Sequence, residues 1–98
     1  MKIRIKGNAL RYRLTQSEVT ELYEKGSLEE CTEFANSTLV YSIESVNGDR
    51  LLSDFMNNKI SLYMPKAMID ELYNTERVGF EDKSGTVRLL VEKDFRAG

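Results

Sequence analysis

Residues 60–73 lie over residues 10–23 at an offset of 50, and this self-match constrains the fold more than any other feature of the chain. Glu21, Leu22 and Tyr23 coincide with Glu71, Leu72 and Tyr73, while Val19 matches Ile69 and Leu14 matches Met64. With a small deletion, Glu33 and Phe34 fall near Gly79 and Phe80, and residues 39–44 over residues 87–92. Each half then reads strand–helix–strand–strand, and a repeated unit of this kind buries its apolar face against its neighbour. The pattern predicts an α+β fold: a tandem βαββ repeat over about 10–44 and 60–92, forming a curled antiparallel sheet or a small pseudo-two-fold β-barrel with two short helices. At 98 residues the chain is one domain, 1–98, able to hold a core without disulfides or metals.

Local signals fill in the elements. Ile3 and Ile5 alternate with Lys2, Arg4 and Lys6, and Leu10, Tyr12 and Leu14 alternate with Arg11 and Arg13, the mark of two half-buried strands joined at Gly7-Asn8. Thr15 followed by Glu18 is a capping box, with Leu14 and Val19 as its hydrophobic staple. Val19, Leu22 and Tyr23 form an apolar stripe that ends at Gly26. Residues 28–35 read as an irregular strand around Cys31. Leu39, Tyr41 and Ile43 alternate toward Asn47-Gly48, which predicts a hairpin with a return strand over about 50–56. Asn57-Asn58 then breaks the chain, Pro65 opens a second helix carrying Met68, Ile69, Leu72 and Tyr73, and two strands follow around a turn at residues 83–85.

Charge is unevenly spread. Residues 1–13 hold Lys2, Arg4, Lys6, Arg11 and Arg13 and no acid, whereas the other 85 residues hold nine bases and sixteen acids. A sequence pI near 5.2 argues against nucleic acid as the main partner. There is no histidine, which removes Ser-His-Asp triads, Cys-His dyads and histidine metal sites. Cys31 stands among Glu29, Glu30 and Glu33, which disfavour its thiolate; the expectation is a buried or half-buried structural thiol in a reducing cytoplasm. No acid pair has metal-loop or glycosidase spacing and no glycine-rich phosphate loop occurs, so no catalytic, cofactor-binding or metal residues are assigned. No run of about 18 apolar residues offers a membrane span.

Two resemblances add to this reading. The segments Lys2-Ile-Arg-Ile-Lys-Gly-Asn8, Arg13-Leu-Thr-Gln-Ser-Glu-Val19 and Val91-Glu-Lys-Asp-Phe95 resemble the signatures of a small bacterial family of unknown function across nearly the whole chain. That resemblance implies an acidic tail beyond Gly98 and brings no site residues. The second half, about 35 residues with Pro65-Lys66, its amphipathic helix and the Val78 and Phe80 strand, is similar to the swapped-hairpin AbrB unit. This implies a cradle-loop barrel. AbrB proteins bind DNA through clustered arginines, and the second half has only the separated Arg77 and Arg88, so DNA binding does not carry over.

The functional expectation is a non-catalytic binding or regulatory module working through a basic strand face or a barrel edge. Lys2, Arg4, Lys6, Arg11 and Arg13 are its candidate anion- or partner-binding residues, with an acidic protein segment or self-association as the partner. The internal alternative is that acids of the Glu18–Glu33 segment neutralise them. A small carboxylate- and metal-dependent enzyme, or a subunit of one, is the competing class.

Overall fold

The fold comes from a computed structural model that describes residues 1–94; Phe95 of the Val91–Phe95 segment and the tail expected beyond Gly98 lie outside the described residues. Two runs of chain repeat one order of elements. The first holds β1 (Lys2–Lys6), β2 (Ala9–Leu14), α1 (Gln16–Lys25), β3 (Ser27–Glu33) and β4 (Thr38–Val46). The second holds β5 (Leu52–Met56), β6 (Lys59–Pro65), α2 (Lys66–Asn74), β7 (Gly79–Asp82) and β8 (Arg88–Lys93). They build two four-stranded mixed sheets, sheet A in the order β1-β2-β8-β7 and sheet B in the order β3-β4-β6-β5. Each sheet takes one hairpin from each run, and its central pair, β2 with β8 or β4 with β6, is parallel.

The fold class is thus α+β, with three corrections. Among the described residues no ladder joins β1 to β3 or β5 to β7, so the barrel is not closed. β5 has five residues and β7 four, and a cleft of about 300 Å³ lined by Arg50, Leu52, Asp82 and Val87 keeps these edges apart. The sheets are mixed rather than antiparallel, because their central strands come from different runs, far enough apart in sequence for parallel pairing. Each run is also one strand longer than a βαββ unit, since β1 and β5 form hairpins with β2 and β6.

The turn at Asn47-Gly48 is not a hairpin. β4 is already paired on both sides, by β3 and β6, so the chain leaves the sheet after Val46. The hairpin forms instead at Asn57-Asn58, where both residues have positive φ, 51° and 63°, and Met56 pairs with Lys59. Positive φ at both central residues matches the twist of antiparallel strands.

The helices seal one end of the molecule. In α1 the Thr15 hydroxyl accepts from the Glu18 amide at 3.2 Å, and Glu18 accepts from the Thr15 amide at 2.9 Å. Partial burial pushes the Glu18 carboxyl up, but bonds from the Met1 ammonium and from Thr15 outweigh it and hold the carboxyl below its ordinary range. Gly26 ends the helix at φ 80°, a conformation that costs glycine nothing. Val19 and Leu22 of α1, and Ile69 and Leu72 of α2, are buried in one core with Tyr12, Leu14, Ile43, Leu62, Met64 and Val91 from both sheets. The rings of Tyr23 and Tyr73 stack at 4.0 Å between the two helices.

Candidate functional site

Strand alternation and register decide what each sheet shows to solvent. On sheet A, Tyr12, Leu14, Leu89 and Val91 point into the core. The alternate positions form the outer face. Lys2 lies opposite Arg13, which pairs with Glu92; Arg4 lies opposite Arg11, which pairs with Leu90; Lys6 lies opposite Ala9, which pairs with Arg88. All five cations expected to act together therefore share one face, and Arg88 joins them. Among the described residues, Glu92, Glu81 on β7 and Asp94 just past β8 are the acids set against six positive charges there. Arg88 was not legible as a member, because its place depends on the parallel pairing of β2 with β8, strands nearly eighty residues apart in sequence.

Two cross-strand pairs on this face, Lys2 with Arg13 and Arg4 with Arg11, set like charges directly opposite, an unfavourable arrangement. Compensation is partial. The same Glu92 oxygen accepts from Arg11 Nε at 2.8 Å and from Arg13 Nε at 2.9 Å. Lys2 reaches Asp94 at 3.5 Å. Among the described residues, Arg4 and Lys6 make no ion pair. The acids of the Glu18–Glu33 segment are not the internal partners: Glu18 and Glu30 take the Met1 ammonium, and Glu29 takes Lys59. They miss because β3 lies in sheet B and α1 at the helical end, while the cations face away from both. The groove lined by Arg4, Lys6, Arg11 and Arg88, with Glu81 and Leu90, has a volume of about 270 Å³.

Glu92 is the electrostatic hinge of the cluster. Changing it to Gln is expected to destabilise the fold by about 1 kcal/mol at low ionic strength, and the loss should shrink with salt, because the Debye length falls to about 8 Å at 0.15 M. Melting curves of the variant at low and high salt check this; an equal loss at both would mean that the arginines do not repel.

Sheet B presents the opposite sign. Glu29, Glu33, Glu44 and Asp54 occupy its outer face with Lys59 as the base among them. The hydrogen bond from Lys59 to Glu29, at 3.1 Å, holds its ammonium above the ordinary range. Tyr63 donates to Asp54 at 2.9 Å. Cys31 is exposed on this face and is not the buried thiol expected, since its neighbour in the ladder, Val40, is on the same outward side. Among the described residues no three acids or thiols come together as a metal site would require.

The domain is therefore a small two-sheet α+β module with outer faces of opposite charge. The chain belongs to the family of unknown function DUF7009, whose model matches residues 1–97. No curated protein and no solved structure matches it. Among the described residues no helix is long and apolar enough to cross a membrane.

Proposed function

We propose that this protein is a non-catalytic binding module of the bacterial cytoplasm that holds an acidic polypeptide segment on the outer face of sheet A. The observation that carries this reading is the pair Arg4 and Lys6, two cations beside further cations, with no ion-pair partner among the described residues. Self-repulsion of such a cluster is relieved when an anionic partner arrives. A polypeptide suits it better than nucleic acid, because the opposite face is acidic and, among the described residues, no aromatic side chain stands on the cationic one for bases to stack upon. An exposed free thiol at Cys31 suits a reducing compartment. Self-association is a second reading, favoured by the acidic outer face of sheet B in the same molecule. The competing metal-dependent enzyme draws no support from the placement of the acids.

The same reading takes the chain as a tandem duplication whose halves are related by a pseudo-two-fold axis. Its support is the equal burial of Leu14 and Met64, Val19 and Ile69, and Leu22 and Leu72, together with matching hairpin registers, Lys2 opposite Arg13 and Leu52 opposite Tyr63.

The test is Arg4→Glu combined with Lys6→Glu. Both side chains are exposed, so the melting temperature should hold, while binding of a poly-glutamate peptide should fall at least about tenfold. Unchanged peptide binding by a folded double variant would overturn the reading.

A further inference from the structure

At the end opposite the helices the two sheets part. Ile5 pairs with Leu10, and Phe55 with Ile60, on the inner faces of their sheets, where side chains should be covered. Yet Ile5 is 58% exposed and Phe55 66% exposed. Between them lies a cleft of about 430 Å³, walled by Ile5 and Leu10 from sheet A, Phe55, Ile60 and Leu39 from sheet B, and Val87. A concave apolar space of this size, lined from both sheets, falls in the class of small-molecule sites.

Beside the cleft lies a cationic depression. Asn8 and Ala9 form a wall shared with this depression, which has a volume of about 450 Å³ and is lined by Lys6, Lys83 and Arg88. Glu81 sits near Lys83, at 3.6 Å, and near Arg88, at 3.8 Å, leaving three cations against one acid. Asn8 ties this wall together, donating to the Thr86 carbonyl at 3.2 Å and accepting from the Arg88 amide at 2.9 Å. Asp54, at the sheet-B rim with its carboxylate held by Tyr63 at 2.9 Å, is the one charged residue that lines the cleft itself, so an anionic head is directed to the sheet-A side.

We infer that this cleft binds an alkyl anion, with the hydrocarbon chain between the sheets and the carboxylate or phosphate head reaching past Asn8 and Ala9 into the adjoining depression lined by Lys6, Lys83 and Arg88. Lys6 and Arg88 belong to both this site and the cationic face, but Arg4 lines no part of the cleft and Phe55 no part of that face, so variants at these two separate the two readings.

Decanoate and decyl phosphate are the probes, titrated into the full chain by calorimetry and by methyl NMR, with decanol and acetate as tail-only and head-only controls. Saturable binding of at least one anion is expected, with methyl shifts at Ile5, Leu10, Leu39, Ile60 and Val87, and the better of the two identifies the head group. Decanol should bind about tenfold more weakly, and acetate should produce no methyl shifts. Phe55→Ser and Ile5→Ser, both at exposed positions, should each weaken decanoate about tenfold while melting as the parent does. Lys83→Glu should weaken decanoate and leave decanol unchanged. Arg4→Glu should weaken poly-glutamate and leave decanoate unchanged, which separates failure here from failure of the polypeptide reading. Absence of saturable binding by both anions, shifts that map elsewhere, or decanol binding as tightly as decanoate would overturn the inference.

Discussion

Leu72→Ala is expected to cost about 2–5 kcal/mol, and Leu22→Ala a similar amount. Both leucines are essentially fully buried, and they meet the core from the two helices that seal its closed end. Removing either side chain forfeits its transfer free energy and leaves a cavity that the stacked Tyr23 and Tyr73 rings, held at 4.0 Å, cannot collapse to fill. Because total stability of a domain this size is about 5–15 kcal/mol, each change should lower the melting temperature by several degrees per kcal/mol. Thermal melts of the two variants beside an exposed control, Glu76→Ala, check this. A Leu72→Ala melt close to that control would mean that α2 does not pack on the core as described.

Gly79→Ala should be of the same order, for a different reason. Gly79 pairs with Glu92 across β7 and β8. A Cβ built there would lie 3.0 Å from the Glu92 Cα and closer still to the Val91 carbonyl oxygen, both backbone atoms of the central strand β8. Backbone cannot yield as a flexible side chain does, so β7 must shift away or lose its ladder, at a cost of about 1–3 kcal/mol or more. The change also displaces Glu92, the shared partner of Arg11 and Arg13. Gly79→Ala is therefore expected to lower the melting temperature and to steepen its dependence on salt. A variant that melts like the parent would place β7 farther from β8 than the register allows.

The parts of the fold that were legible in the sequence are those whose cause is local. The capping box at Thr15 and Glu18, the stop at Gly26, and the stripes Val19/Leu22 and Ile69/Leu72 depend on residues within a few positions of one another. Alternation also placed Lys2, Arg4 and Lys6 on one side of β1, and Arg11 and Arg13 on one side of β2. Pairing between distant strands was not legible. Asn47-Gly48 carries hairpin chemistry, but turn chemistry cannot tell that both edges of β4 are taken by β3 and β6. For the same reason Arg88 stood apart from the basic stripe, and Glu92 was not seen as its internal counterion. The cleft was hidden more deeply, because Ile5 reads as an ordinary core residue, and only the parting of the sheets exposes it.

The central claim is that the outer face of sheet A is left open for an acidic polypeptide. The most direct measurement is a titration of the isotope-labelled chain with a poly-glutamate peptide, followed by amide chemical shifts. The shifts should gather on β1, β2 and β8, centred on Arg4 and Lys6, and should fade as salt is raised, because exposed charges are screened over about 8 Å at 0.15 M. Shifts confined to sheet B, or none on β1 at low salt, would contradict the account.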